Sequence, residues 1–262
     1  MATDTSAVHD AVHVWFFEVP QAGGDGDAAL HEWSALLDAD ERQHAERLRR
    51  PADRCLYIAA HGLLRQLLGH FSGEPPASLR FSRCANGKPR PVQTQQPYRE
   101  PALHFNLSHS HRGVAVALSA AGEVGVDIER IQPGLDIDSL APLTLHRDEQ
   151  RQLGMLDPTA RSTAFFRAWT CKEAWLKAQG VGLSGSLTSL SVVAVAPGIS
   201  DNANASRTTI LRDAAGNHWP IATHRIVLAG EPYALAVAAP ALPHLPVVWH
   251  STLPAAISAT PA

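Results

Sequence analysis

The segment Gly125-Val126-Asp127-Ile128-Glu129-Arg130-Ile131 constrains this chain more than any other. Its β-branched residues alternate with other types, which predicts a strand whose successive side chains point to opposite faces. Asp127 and Glu129 then share a face, while Val126, Ile128 and Ile131 supply apolar surroundings. Two negative charges beside buried surface are costly. They call for a cation, a protonated carboxyl, or a neighbouring Arg or Lys.

A second segment, Phe165 to Lys177, predicts a helix. At about 100° per residue, Phe165, Trp169 and Leu176 form an apolar arc, with Ala168 and Trp175 at its margin. Glu173 and Lys177 lie on the flank, Glu first, so the pair taken alone reads as a surface salt bridge of a few tenths of a kcal/mol. Taken with Asp127 and Glu129, Glu173 completes a set of oxygen ligands without His or Cys. That set suits a hard cation, Mg²⁺ ahead of Zn²⁺, and magnesium points to a phosphate-bearing substrate.

Read together, G-V-D-I-E-R and, about forty residues later, F-F-x-x-W-x-x-K-E-A-x-x-K-x-x-G-x-G-L resemble the signature of the surfactin-type 4′-phosphopantetheinyl transferases. Asn86-Gly87-Lys88-Pro89 and Phe105-Asn106-Leu107-Ser108-His109-Ser110 match the same family in order and spacing. The resemblance implies an α+β fold of two similar halves related by a pseudo-twofold axis, with the site in the cleft between them. It also implies transfer of 4′-phosphopantetheine from coenzyme A to a serine of an apo acyl or peptidyl carrier protein, releasing 3′,5′-ADP. Asp127, Glu129 and Glu173 would hold Mg²⁺, or Mn²⁺ in its place. Glu173, Lys177 and Asp127 would be catalytic, the base being Glu173 or a metal-bound water. Arg54, Lys88, Ser108, His109 and Lys177 would contact coenzyme A, with Arg54 against the 3′-phosphate. Basic residues that often assist Arg54 in the family are replaced here by Glu41 and His44. The carrier would dock near the linker after Ile131 and the segment up to Leu145. Two other functions use the same residues: a metal-dependent hydrolase of coenzyme A-type pyrophosphates, and a non-catalytic module that binds coenzyme A or a carrier protein.

The 262 residues, 45% hydrophobic, suffice for one large domain or two ordinary ones. The expectation is a soluble, cytoplasmic protein, because no apolar run reaches the roughly twenty residues of a membrane span and Met1 to Thr5 lacks a signal-peptide pattern. Two covalently joined halves make an oligomer unnecessary, so a monomer is expected. Cys55, Cys84 and Cys171 are too scattered for a disulfide framework or a zinc site. A net charge of −3 gives no general attraction to nucleic acid.

Along the chain, Val12 to Val19 predicts the first strand, Gly23 to Asp27 a loop, and Ala28 to Leu37 a helix, with a new start at Asp38. Arg42, Arg47, Arg49 and Arg50 form a local basic patch. The helix from Asp53 is expected to end near Gly69, with Arg65 on a solvated face. The Asn-Gly turn would hold Lys88 at its tip. Strands are expected over 78–82, 103–110 and 113–118, and a surface insertion over 93–97. After the Pro133-Gly134 linker, Thr144 is a candidate helix cap. Asp157-Pro158 is a stronger start, for the helix that Gly180 ends. Lys172 falls within the apolar arc, so it either snorkels or is paired. Strands follow over 187–196, 221–228 and 233–239. The halves are 1–124 and 125–240, with a poorly ordered tail over 241–262 in which Val247, Val248 and Trp249 are the residues able to dock.

Overall fold

A computed structural model describes residues 8, 10–20, 25–84, 87–92, 102–181, 186–193, 206–242 and 244–258. The chain opens with β1 (Val12–Glu18), α1 (Asp25–Leu36), α2 (Ala39–Arg47) and α3 (Pro51–Ser72). Two hairpins follow, β2 (Arg80–Arg83) with β3 (Pro89–Val92), and β4 (His104–Ser110) with β5 (Gly113–Ser119). Next come β6 (Gly125–Arg130), α4 (Ile137–Thr144), α5 (Arg147–Leu153) and α6 (Pro158–Gln179). Strands β7 (Ser191–Val193), β8 (Ser206–Arg212), β9 (His218–Leu228) and β10 (Glu231–Ala238) follow. The chain then adds β11 (Val247–His250) and α7 (Ala255–Ser258).

This is an α+β fold. One sheet has the order β11-β1-β5-β4 and the other β6-β10-β9-β8-β7. Strand alternation explains how they stack. On β5, Val114, Val116 and Leu118 pack under α3 with Leu63, Leu64 and Leu67, whereas Ala115 and Ala117 face Val126, Ile128, Leu235 and Val237 of the other sheet. On β10 the other parity, Ala234, Ala236 and Ala238, packs under α6 with Ala168, Cys171 and Ala174. Each 22-residue helix therefore covers the outer face of one sheet.

Local chemistry sets the helix ends. Asp38 and Glu41 form a reciprocal capping box at the start of α2. Asp157 accepts from the Thr159 and Ala160 amides, Pro158 occupies the first turn of α6, and Gly180 at φ 68° ends it.

The structure departs from the sequence expectations at several points. Helix α1 begins at Asp25, inside the expected loop, and α3 continues a turn past Gly69 to the left-handed Gly73. Asp136 caps α4 after the linker and His146, not Thr144, caps α5; the Thr144 hydroxyl instead donates to the Leu140 carbonyl. Strand β8 was not expected at all. The expected tail is ordered over 247–250, where Val247 to His250 pair in parallel with Val12 to Trp15 and cover an edge of β1 that would otherwise be bare. Arg65 is fully buried rather than solvated, donating to Glu41 (2.7 Å), Asp38 (2.8 Å) and the Pro76 (3.0 Å) and Leu79 (3.1 Å) carbonyls. The α2 capping carboxylates thus also neutralise a buried guanidinium. Asn86, the 93–97 segment and residues 194–196 lie outside the described residues.

Candidate active site

Gly125 sets the approach of the two elements that carry the acids. A Cβ there would lie 2.0 Å from the Ala174 carbonyl oxygen and 2.3 Å from the Ala178 nitrogen of α6. Only a residue without a side chain lets β6 and α6 come this close. On the same face of β6 follow Asp127 and Glu129, with the small Ala236 and Ala234 beside them on β10. Glu173 and Lys177 come from α6 one turn apart.

Asp127 is 3% exposed and Glu173 8%. Asp127 Oδ1 accepts from Lys177 Nζ at 2.6 Å and from Ser108 Oγ at 2.8 Å, and Ser108 Oγ accepts from Lys177 Nζ at 2.8 Å. Lys177 therefore pairs with Asp127 across the two elements, where the sequence suggested a surface pair with Glu173. Asp127 Oδ2 and Glu173 Oε1 are buried without a hydrogen-bond partner. Glu129 Oε2 accepts from Ser110 Oγ at 2.5 Å.

These acids influence one another. Burial pushes Glu129 up to about 7 against the pull of its Ser110 hydrogen bond, with Asp127 and Glu173 adding to the rise and Lys177 opposing it. Burial, then repulsion from Asp127, raises Glu173, and Lys177 again opposes. Among the described residues, no three His, Cys, Asp or Glu side chains form a ready-made metal cage. The donor chemistry nonetheless suits a hard divalent ion: all-oxygen side chains, with one oxygen each of Asp127 and Glu173 buried and unsatisfied.

Strand β4 meets β6 through side chains. Asn106 Oδ1 accepts the Val126 amide at 2.9 Å, Ser108 Oγ the Ile128 amide at 3.4 Å, and Ser110 Oγ the Arg130 amide at 3.3 Å. Ser108 and Ser110 then donate to the carboxylates beside those amides. Asn106 and Ser110 were missed as site residues; the N-x-S-x-S alternation at 106–110 was the available signal.

The opposite parity of β4 sends Phe105 and Leu107 toward α3, and His109 follows them. Its ring reaches solvent, yet the protein around it desolvates it and lowers its pKa, with His61 and Lys177 adding to that effect. His61 of α3 was also missed. It pairs through Nδ1 with Glu41 at 2.9 Å and stacks on Tyr57 at 4.0 Å.

The remaining expected residues are placed as follows. Lys88 does not stand at a turn tip: it is buried, with Nζ 2.6 Å from Glu123 Oε2 and 2.9 Å from the Val124 carbonyl. Arg54 is exposed and donates to the Leu48 carbonyl at 3.2 Å. Lys172 is paired, not snorkelling: its fully buried ammonium donates to Glu149 at 2.5 Å and to the Thr144 (2.9 Å) and Leu187 (3.1 Å) carbonyls. It ties α6 to α4 and α5 and takes no part in the acid cluster. Among the described residues no helix is long and apolar enough to cross a membrane.

Two family profiles cover most of the chain. Residues 123–238 match the 4′-phosphopantetheinyl transferase superfamily, and residues 27–121 match a profile described as 4′-phosphopantetheinyl transferase, N-terminal. Among curated relatives, the 4′-phosphopantetheinyl transferase HetI of Nostoc is 34% identical over 175 residues, 67% of this chain and 71% of the relative. A putative 4′-phosphopantetheinyl transferase of Synechocystis is 32% identical over 74% of each chain. The 4′-phosphopantetheinyl transferase Sfp of Bacillus subtilis is 28% identical over 60% of this chain and 66% of its own. On these matches, the chain belongs to the 4′-phosphopantetheinyl transferase superfamily, a family of enzymes.

Proposed function

We propose that this enzyme moves 4′-phosphopantetheine from coenzyme A to a serine hydroxyl of an apo carrier protein, releasing 3′,5′-ADP, in a magnesium-dependent reaction. The observation that supports the reading is the close approach of β6 and α6, with Lys177 on Asp127 and one unsatisfied buried oxygen each on Asp127 and Glu173.

The serine oxygen forms a bond to the phosphorus that bears pantetheine, the pyrophosphate P–O bond breaks, and the bridging oxygen leaves with 3′,5′-ADP. Asp127, Glu129 and Glu173 are the residues that would hold Mg²⁺ (or Mn²⁺), which when bound neutralises charge on the pyrophosphate oxygens. Lys177, 28% exposed on a flexible stem, reaches the phosphates from the helix side. Burial, with Asp127 adding, raises the Glu173 pKa in the metal-free protein, and in this reading Glu173 or a water beside it receives the serine proton.

Ser108 acts here by orienting Asp127, since its hydroxyl is already engaged with that carboxylate. His109, with Arg54 and Lys88, is assigned to the nucleotide end. Lys88 serves there only if it leaves Glu123 or presents its backbone. The linker and α4 are assigned to the carrier, Leu135 and Leu140 being partly buried against the second-half core.

The test is to incubate the protein with coenzyme A, Mg²⁺ and an apo carrier and to weigh the carrier. The reading expects a mass gain of one phosphopantetheine, lost in Asp127→Ala. Release of 3′,5′-ADP without a carrier would indicate a hydrolase instead, and no release in either case a binding module.

A further inference from the structure

Lys177 stands where a metal ion would have to come. Its Nζ lies 2.6 Å from Asp127 Oδ1 and 2.8 Å from Ser108 Oγ, while Asp127 Oδ2 and Glu173 Oε1 stay buried without partners. The same ammonium acts electrostatically on Glu129 and Glu173, opposing the repulsion that each receives from Asp127. Three acids that share a partly buried space are therefore held together by a positive charge belonging to the chain itself. A divalent ion entering that space meets this charge at short range, and at the effective dielectric of a partly buried site such repulsion is large.

From this geometry we infer that Lys177 is a tethered placeholder cation: it occupies the carboxylate site, keeps free divalent ions out, and yields when a pyrophosphate-bearing substrate offers its ammonium another anion. Two features make the exchange feasible. The side chain is 28% exposed, so its head can swing without breaking into the core, and Ser108 keeps its bond to Asp127 after the lysine leaves. The lysine then moves from a carboxylate to a phosphate while the arriving ion takes over the carboxylates. Substrate and metal binding are thereby coupled, each favouring the other. The inference rests on the proposed metal site and adds an order to its filling.

The experiment measures binding rather than turnover. Free Mn²⁺ is titrated into the full-length protein and followed by electron paramagnetic resonance, with and without coenzyme A, for the wild type, Lys177→Gln, Lys177→Met and Lys177→Arg. Without coenzyme A, the two neutral variants are expected to bind Mn²⁺ about tenfold more tightly than the wild type. Lys177→Arg, which keeps the charge, is expected to stay weak. Coenzyme A should tighten Mn²⁺ binding more in the wild type than in either neutral variant. Unchanged or weaker Mn²⁺ binding in whichever neutral variant folds, judged by its thermal transition, overturns the placeholder role. Absence of Mn²⁺ binding to the wild type even with coenzyme A would instead overturn the metal site on which the inference rests.

Discussion

A side chain of one carbon at Gly125 would press to within 2.0 Å of the Ala174 carbonyl oxygen. The strand carrying Asp127 and Glu129 and the helix carrying Glu173 and Lys177 touch here backbone to backbone, so this contact fixes the separation of the charged groups farther along. Gly125→Ala must push α6 away from β6. The expected cost is about 3 kcal/mol, as for an overpacked core, with loss of transfer activity even where the variant stays folded. Chemical denaturation and a carrier-modification assay measure the two effects separately.

The Lys172–Glu149 pair makes a different prediction, because both side chains are almost fully sealed from water. Burial lowers the Lys172 pKa and Glu149 opposes that fall. Removing one partner strands the other charge, so Lys172→Met alone should destabilise by about 3–5 kcal/mol. The double variant Lys172→Met with Glu149→Leu should recover part of that loss, although Glu149 also accepts the His146 and Val192 amides. Thermal melts of the single and double variants check this. Residual activity per folded molecule should remain, since neither group touches the acid cluster.

Glu129 gives the metal-free protein a pH dependence of defined sign. Its folded pKa of about 7 lies above the ordinary 4.5, so between those values the folded state keeps a proton that the unfolded chain has released. Its contribution to stability is full below pH 4.5 and is lost as the pH rises through 7. Melting temperatures of metal-free wild type minus those of Glu129→Gln should fall across this window. A flat difference would show that Glu129 is not held protonated.

The C-terminal segment should unfold together with β1 and α3. Strand β11 lies on β1, and Leu253 and Ile257 pack into the core beneath α3. Truncation after residue 245 bares the β1 edge and that core. Loss of cooperativity, or a drop of several kcal/mol in unfolding free energy, is expected in urea titration.

Much of this arrangement could be read from the sequence because it is local. The alternation around Asp127 gave the strand and its charged face, and Asp157-Pro158 with Gly180 bracketed α6. Contacts between distant segments could not be read in this way. Arg65 looked solvated because Asp38 and Glu41, its partners, lie more than twenty residues earlier, and Lys88 looked exposed because Glu123 is 35 residues away. Lys177 was drawn to Glu173 by helix spacing, yet Asp127, fifty residues away, holds it. The role of Gly125 depends on which helix packs on the strand, and that is set by tertiary structure. In the Pro- and Ala-rich tail, Val247, Val248 and Trp249 stood out as able to dock, but their parallel register on β1 depends on a partner more than 230 residues away.

Under the proposed function, Asp127, Glu129 and Glu173 converge on one divalent ion. Anomalous diffraction from crystals of the protein with Mn²⁺ and coenzyme A measures this directly. One strong peak is expected within roughly 2.0–2.3 Å of a carboxylate oxygen from each of the three residues, with the Lys177 ammonium moved off Asp127 onto a phosphate oxygen. A peak elsewhere, or one that leaves Glu173 uncoordinated, would contradict that convergence.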